Sequence, residues 1–433
     1  MKAEQPGGLE KSNEGKEGLG KLVSVNFFKL GGTWDMIFRE GQKIGSGSLD
    51  DDKLLEIQTE LGTFTRDPEQ RALAERKLVT ELHRRFKGIE SEKKDAAEHL
   101  SNWAKNDKGE EFKDFVEGPL MPLFSGDSSH LRNPINASII ATLIETAINQ
   151  PGKPILGGQG TDTADIALLG SYDVLTFDTE LPPLIMAGAN RSHHEENSDA
   201  PQNFIDLAKL AHIDLESGAY WVFQGELYKA ADFIKIDPLE TRRMEDQLTF
   251  WSAHKTNEKV SSLLARINKL KANWQSRKAP KSDHVVHKAT PEALYEAFEQ
   301  VYVDDLGNQN SVPQFMQHIY DPKVKAIVVG AHSLGNVDNE ARYDLVQAAK
   351  DGKLVVVASR TLIGATTLDY AASLLEANVN PKELGGTEKI ILSAHKLSKS
   401  MARAILVRAI LEGLDQTQTQ KLLDNYAKSR KLI

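Results

Sequence analysis

The chain of 433 residues contains no cysteine, which excludes disulfides, thiolate nucleophiles and cysteine-bound metal sites. Positive charge is in the minority, and the formal net charge of -9 opposes general binding to nucleic acid or anionic membranes. No apolar run approaches the roughly 18 residues of a transmembrane helix. The polar segment 1–21 has no apolar stretch of the kind found in secretory signals. We therefore expect a cytoplasmic protein with no nucleic-acid or membrane partner.

Short apolar runs recur along the chain, and each is followed by a polar loop and then a helix-like segment. Buried strands that alternate with helices are typical of a parallel α/β sheet. In such sheets ligands bind beyond the carboxyl ends of the strands, which is where these polar loops would lie. The runs are residues 23–30, 153–157, 184–189, 220–223, 324–330 and 354–358.

The composition predicts two domains. The expected division is a disordered tail at 1–21, an N-terminal α/β domain at 22–276, a linker at 277–290 and a smaller C-terminal α/β domain at 291–433.

Within the first domain, a charged region at about 50–117 is predicted to be a helical insertion on the outside of the core. Asp67-Pro68 is a helix start, because a capping carboxylate precedes proline at the first helical position. Leu78, Leu82 and Phe86 then follow at four-residue spacing, as on one apolar helix face. A second helix is predicted at about 257–275 from a similar stripe.

Residues 157–163, with the sequence Gly-Gly-Gln-Gly-Thr-Asp-Thr, place two hydroxyls and a carboxylate in one short loop. A threonine hydroxyl is a weak nucleophile unless a base removes its proton. Lys235, which follows another strand, is the candidate base for Thr161 if burial lowers its pKa. Asp162 would oppose that by favouring the ammonium form. The alternative interpretation is structural, with Asp162 or Thr163 capping a helix.

Several motifs occur in the order found in the bacterial-type L-asparaginase/glutaminase family, which the chain resembles at residues 22–48 and 119–433. The insertion has no counterpart in that resemblance. The matching motifs are Gly31-Gly32-Thr33, Gly160-Thr161-Asp162-Thr163, Gly188-Ala189-Asn190-Arg191, Asp199-Ala200-Pro201-Gln202-Asn203, Gly335-Asn336, Ser359-Arg360 and Gly364-Ala365-Thr366-Thr367.

The resemblance implies a two-domain asparaginase-like fold that hydrolyses the side-chain amide of asparagine or a related amino acid, with no cofactor and no metal. Thr161, Asp162 and Lys235 would form the catalytic triad. Family sites are completed across a dimer within a tetramer, so a homo-oligomer is expected. The implied substrate-binding residues are Ser128, Ser129, Thr33, Gly160 and Asn336, the last reaching the site of a neighbouring subunit.

Leu30 stands where the family has its first nucleophilic threonine, directly before the glycine pair. The segment between Trp34 and Glu60 contains no tyrosine to act from a lid, and Gln159 and Ala371 replace a family histidine and acid. These departures support an alternative hypothesis, a catalytically inactive amino-acid-binding or scaffold protein on the same fold.

Two further clusters are interpreted as surface features. His193-His194-Glu195-Glu196 lacks the i, i+4 histidine pair of a helical metal site, and is expected to be a solvated loop. A third hypothesis, a subunit of the tRNA-dependent amidotransferase, depends on basic residues that a solvated helix face and linker also explain. Those residues are Arg266, Lys269, Lys271, Arg277, Lys278 and Lys281.

Overall fold

The computed structural model describes residues 19, 21–31, 37–39, 42–44, 49, 51–89, 94–95, 100, 104–124, 133–161, 168–235, 250–252, 255–304, 317–331, 337, 339–359 and 391–432. The fold is α/β, as the sequence predicts. No helix in these ranges is both long and apolar enough to cross a bilayer.

The strands are β1 (Val23–Ser24), β2 (Asn26–Leu30), β3 (Ile37–Arg39), β4 (Gln42–Ile44), β5 (Lys94–Asp95), β6 (Val116–Glu117), β7 (Pro119–Phe124), β8 (Ile155–Gly158), β9 (Leu184–Ala187), β10 (Ala219–Phe223), β11 (Glu226–Lys229), β12 (Phe233–Lys235), β13 (Phe250–Ser252), β14 (Glu258–Lys259), β15 (Val301–Asp304), β16 (Ala326–Ala331), β17 (Leu354–Ser359) and β18 (Ile391–Ser393). The helices are α1 (Asp51–Glu60), α2 (Pro68–Ile89), α3 (Asn133–Asn149), α4 (Leu168–Thr176), α5 (Ala200–Leu210), α6 (Val260–Leu264), α7 (Ile267–Leu270), α8 (Pro291–Glu299), α9 (Asn339–Lys350), α10 (Lys399–Glu412) and α11 (Gln416–Ser429).

Two sheets dominate the described structure. The larger has the strand order β14-β11-β10-β9-β8-β2-β7-β5. Its five parallel strands are β10, β9, β8, β2 and β7. Antiparallel strands flank them at both edges. The smaller sheet, β15-β16-β17-β18, is entirely parallel. The prediction of parallel sheets is therefore confirmed.

The central strand β2 is buried on both faces. Phe28 belongs to the apolar core that also contains Leu143 of α3, whereas Phe27 belongs to the core on the opposite face. There Phe27 packs edge-on against Phe112, with ring centroids 5.6 Å apart. Burial on both faces is typical of parallel strands, and in β2 it extends to the polar residues Asn26 and Lys29 as well as the two phenylalanines.

The charged region includes helices α1 and α2, and α2 packs deeply. Helix α2 begins at Pro68, where Asp67 Oδ1 accepts hydrogen bonds from the backbone N–H groups of Glu69 (2.9 Å) and Gln70 (3.2 Å). Its apolar face, including Leu78 and Phe86, is buried in the main core. The predicted cap and apolar face are therefore confirmed.

The later part of the charged region contains short strands among its described residues. Within 94–117, β5 pairs with β7 at the sheet edge, and β6 pairs with β1, while Phe112–Asp114 form a single 3-10 turn. These edge strands were not predicted, because short strands leave little periodic signal in a charged sequence. The interpretation of about 50–117 as one insertion stays a prediction.

The helix predicted at 257–275 is broken. Its apolar stripe is correct, since Val260, Leu263 and Ile267 are buried. The backbone leaves helical geometry at Arg266 (φ -100°, ψ 10°), which separates α6 from α7. Periodicity identified the buried face and not the interruption.

A buried ion pair joins the end of α11 to α4. Arg430 donates to both carboxylate oxygens of Asp173 in α4, with Nη2 2.6 Å from Oδ1 and Nε 3.1 Å from Oδ2. The hydroxyl of Tyr426 donates to the same carboxylate. Both charged side chains are almost fully buried, so this contact links α11 to α4 in the interior of the protein.

Candidate active site

Thr161 lies just beyond the carboxyl end of β8, the strand between β2 and β9. Gln159 N–H donates to Ala187 O at 3.0 Å, which continues the ladder one residue past the strand. Gly160 is buried, and Thr161 is 6 % exposed. The hydroxyl-bearing loop is therefore at the sheet edge where ligands of parallel α/β proteins bind.

Gly188 allows β9 to pack tightly against this loop. A Cβ atom at Gly188 would lie 2.7 Å from Gln159 O and 2.7 Å from Cη2 of Trp221. Only glycine tolerates such an approach. The loops after β8 and β9 are thus in direct contact at Gly188, and the indole of Trp221 in β10 lies against the same glycine.

The backbone of Lys235 ends β12, opposite Phe250 of β13. Two residues earlier, the ring of Phe233 stacks on Trp221 with centroids 6.0 Å apart and planes 3° from parallel. Contacts therefore run from the Thr161 loop through Trp221 to the strand that carries Lys235. The Lys235 side chain and the predicted residues Asp162, Ser128, Ser129, Thr33 and Asn336 lie outside the described residues.

Asp232 fixes the start of the strand that carries Lys235. Its carboxylate accepts a hydrogen bond from the hydroxyl of Ser252, one from the hydroxyl of Thr256 at 2.7 Å and one from Thr256 N–H at 3.3 Å. Asp232 is 4 % exposed. These hydrogen bonds tie the turn before β12 to the residues at and after the end of β13.

Asp199 organises the loop that follows β9. Its carboxylate accepts the backbone N–H groups of Asn190 and Arg191 at 3.1 Å. Burial raises the pKa of the Asp199 carboxyl, against the opposing effect of these backbone hydrogen bonds and of the Asn203 amide. The Asp199 side chain thus satisfies two backbone N–H groups of this loop that would otherwise need water as an acceptor.

Asn203 ties two strand ends together. Its Nδ2 donates to Gly188 O at 2.9 Å, and its Oδ1 accepts Gln224 N–H at 2.9 Å. Gln224 adopts a left-handed conformation (φ 48°), and Gly225 follows it with φ 76°. One buried amide therefore sets the spacing between the loops after β9 and β10. This explains physically why the Gly188 and Asp199 motifs occur as a pair.

Leu30 is the last residue of β2, and its side chain is fully buried in the apolar core. The register between β2 and β7 shifts between Lys29 and Leu30, so a bulge lies where the family would place a threonine. Position 30 contributes to packing and offers no polar atom to a substrate.

Lys29, which the sequence reasoning overlooked, is 1 % exposed and lies beside Gly158 in the ladder. Lysine is rarely buried unless it is paired, and Lys29 does have interactions within the structure. The sequence feature that could have identified Lys29 is a lysine at the penultimate position of a strand predicted to be buried. Thr256 was overlooked because its contact with Asp232 joins segments 24 residues apart.

Across the described ranges, no group of three or more His, Asp or Glu side chains is placed to hold a metal ion. The rings of His193 and His194 lie 3.8 Å apart in a loop of turns.

Comparison with known proteins agrees with the fold. Residues 26–269 match the family model described as asparaginase, N-terminal. No curated protein is similar enough in sequence to count as a match.

Three solved structures share the architecture at 15 % sequence identity, each over 93 % of this chain. They are the thermostable L-asparaginase from Thermococcus kodakarensis (97 % of that chain, TM-score 0.54), L-asparaginase I from Vibrio cholerae (97 %, 0.54) and a probable cytoplasmic L-asparaginase from Campylobacter jejuni (99 %, 0.57). At that identity the likeness concerns the fold alone. Because the family model spans more than half of the sequence, the chain belongs to the asparaginase family.

Proposed function

We propose that the protein hydrolyses the side-chain amide of asparagine or a related amino acid to a carboxylate and ammonia. The observation that carries this proposal is the buried Thr161 at the carboxyl end of β8, on a loop that packs directly against Gly188. A hydroxyl held in this way is pre-positioned for attack, and pre-positioning supplies a large part of catalysis.

In the proposed reaction, Lys235 accepts the hydroxyl proton of Thr161, and the oxygen attacks the amide carbon. The amide nitrogen takes that proton from Lys235 as the C–N bond breaks and leaves as ammonia, and water then hydrolyses the ester to the carboxylic acid and the free Thr161 hydroxyl. The alternative route has Thr161, Asp162 and Lys235 activate water, which attacks the amide directly. Both routes give the same products, and only the first passes through a covalent intermediate.

Substrate binding is assigned by the proposal to Ser128, Ser129, Thr33 and Gly160. Asn336 of a neighbouring subunit would complete the site, so the working form is a cytoplasmic homo-oligomer, either dimer or tetramer. The proposed domains are 22–276 and 291–433. Light scattering of the full chain tests the assembly, and a purely monomeric species at assay concentration would contradict it.

Ammonia release from asparagine and glutamine tests the activity, with Thr161→Ala and Lys235→Ala as variants. Thr146→Ala is the matched control, because Thr146 is a buried threonine near the end of α3, where the chain enters β8 from its amino end. Loss of release in the first two variants and its retention in the control supports the proposal. Wild-type protein that releases no ammonia from any amide contradicts it.

A second function, binding of an amino acid without turnover, is favoured by Leu30. Its side chain is fully buried, so position 30 presents no nucleophile. Calorimetry with aspartate and asparagine distinguishes the two functions. Saturable binding with no ammonia release would identify a binding protein, whereas release that disappears in Thr161→Ala would exclude it.

A further inference from the structure

A second cleft, of about 1110 Å³, lies away from the Thr161 loop. It is formed by the first half of α2, the start of α3, the end of α8 with β15, and the turn before β16. Neither Gly160 nor Thr161 lines it. Its volume is slightly larger than that of ordinary ligand pockets, which hold roughly 300–1,000 Å³.

Two of the cations in this cleft are neutralised by carboxylates. Arg71 Nε lies 3.0 Å from Glu75 Oε1, and Arg76 Nε lies 3.5 Å from Glu296 Oε1. Both arginines are more than half exposed, so water also solvates them. Neither requires a ligand to satisfy its charge.

Arg403 differs from these two, because no described carboxylate forms an ion pair with it. Its Nη2 donates to Asn133 Oδ1 at 3.1 Å and to Phe298 O at 3.5 Å, and its guanidinium lies over the Phe298 ring at 5.5 Å. Its Nε is buried with no acceptor among the described residues. The guanidinium is therefore anchored in position without a carboxylate in direct contact among the described residues.

Asn133 lies between Arg403 and the neighbouring Glu299. The Nδ2 of Asn133 donates to Glu299 Oε1 at 2.6 Å, while its Oδ1 accepts from Arg403. The amide therefore bonds the carboxylate at one end and the guanidinium at the other, and Arg403 has no direct ion pair among the described residues. Burial lowers the pKa of the Arg403 guanidinium, and the charge of Glu299 only partly offsets that effect.

Other residues that line the cleft provide aromatic surface for the non-charged part of an organic ligand. The rings of Tyr302 and His318 stack with centroids 4.0 Å apart, and Phe64 is 61 % exposed at the rim. Gln300 Oε1, on the same wall, is buried without a donor in the described structure. Aromatic surface beside unsatisfied polar atoms is typical of small-molecule sites.

We propose that this cleft binds a small organic acid whose carboxylate or phosphate group pairs with Arg403 and whose planar body lies against Tyr302 and His318. A carboxylate or phosphate matches the forked donors of a guanidinium, and pairing offsets the desolvation of the buried charge. The site is separate from the proposed amide-hydrolysing site and would hold a second ligand.

Calorimetry on the full chain tests the site, with benzoate, phenyl phosphate and inorganic phosphate as probes. Benzoate and phenyl phosphate distinguish a carboxylate from a phosphate head group, and inorganic phosphate shows whether the planar body is needed. We expect saturable binding of at least one aromatic probe, weakened at least about tenfold in Arg403→Gln. The matched control Arg71→Gln, at an arginine already paired, should change affinity less than about twofold.

Two more variants keep the result interpretable. Ala72→Phe fills the cleft from α2 without altering Arg403, so it should abolish binding even if Arg403→Gln folds poorly. Thr161→Ala should bind as wild type does. The proposal is overturned if no probe binds saturably at millimolar concentration. It is also overturned if either cleft variant binds like wild type, or if Thr161→Ala removes the binding.

Discussion

Lys29 lies directly opposite Gly158 in the parallel ladder of β2 and β8, and it is almost fully buried. Gly158 ends the strand that leads into the Thr161 loop. A lysine is thus enclosed at the carboxyl end of the central strand, next to the residue at which the chain departs from its family. Fixed cations act strongly where water is excluded, because the effective dielectric is low.

We expect Lys29→Met to lower kcat for amide hydrolysis at least about tenfold, because methionine keeps the apolar stem and removes the charge. Ammonia release measures this, and circular dichroism checks that the variant folds. Lys153→Met, before the amino end of β8, is the matched control and should retain activity. Equal activity of Lys29→Met and wild type would show that the buried amine has no catalytic influence.

Leu30→Thr should destabilise the protein by about 1–3 kcal/mol, because a hydroxyl replaces apolar volume in the core. Turnover should rise less than about tenfold, since catalysis is assigned to Thr161. Leu30→Val controls for the lost volume. A rise of several orders of magnitude in Leu30→Thr alone, from an undetectable wild-type rate, would instead favour a disabled site and the binding function.

Asn203→Ala should reduce kcat by about tenfold or more, because it releases the loops at Gly188 and Gln224 that one amide now joins. The free energy of unfolding should fall by about 1–3 kcal/mol, as for other buried polar partners left unpaired. Gln202→Ala, on the exposed side of the same helix, serves as the comparison. Similar kinetics in the two variants would contradict a positioning role for Asn203.

We expect the free energy of unfolding to depend on pH because of Asp206. Burial raises its pKa to about 6, against the Gln202 hydrogen bond and the Lys209 charge, while Glu110 reinforces the rise. Between about pH 4 and 6 the folded state therefore holds a proton that the unfolded state releases. The resulting stabilisation is fully present below about pH 4 and is lost as the pH rises through 6.

Asp206→Asn should accordingly be more stable than wild type by about 1–3 kcal/mol at pH 7, with the difference vanishing near pH 4. Urea unfolding at several pH values measures it. The exposed Asp107→Asn should show no such dependence. A constant difference between Asp206→Asn and wild type at all pH values would refute the assignment.

Strands β8 and β16 could be predicted from the sequence because they are fully buried and appear as unbroken runs of apolar residues and glycine. The start of α2 could also be predicted, since a helix cap is formed by neighbouring residues in the sequence. Other elements could not be predicted, because they depend on contacts with segments far away in the sequence. Strand β5 exists because it pairs with β7, and the break at Arg266 leaves the apolar stripe intact.

The residues of the candidate site also fall into those that the sequence predicts and those that it does not. Gly160 and Thr161 could be identified because their motif is contiguous, and the structure places them at the expected sheet edge. The bonds that brace the site join Asp232 to Thr256 and Asn203 to Gly188. Such pairs have no local signature, because each residue alone resembles an ordinary polar residue in a turn or helix.

The most direct measurement is the rate of ammonia release from asparagine by wild-type protein and by Thr161→Ala at equal concentration. We predict a measurable wild-type rate that falls at least about a hundredfold in the variant, which corresponds to loss of roughly 3 kcal/mol of transition-state stabilisation. Equal rates in the two proteins, or no release by either from any side-chain amide, would contradict the assignment of catalysis to Thr161.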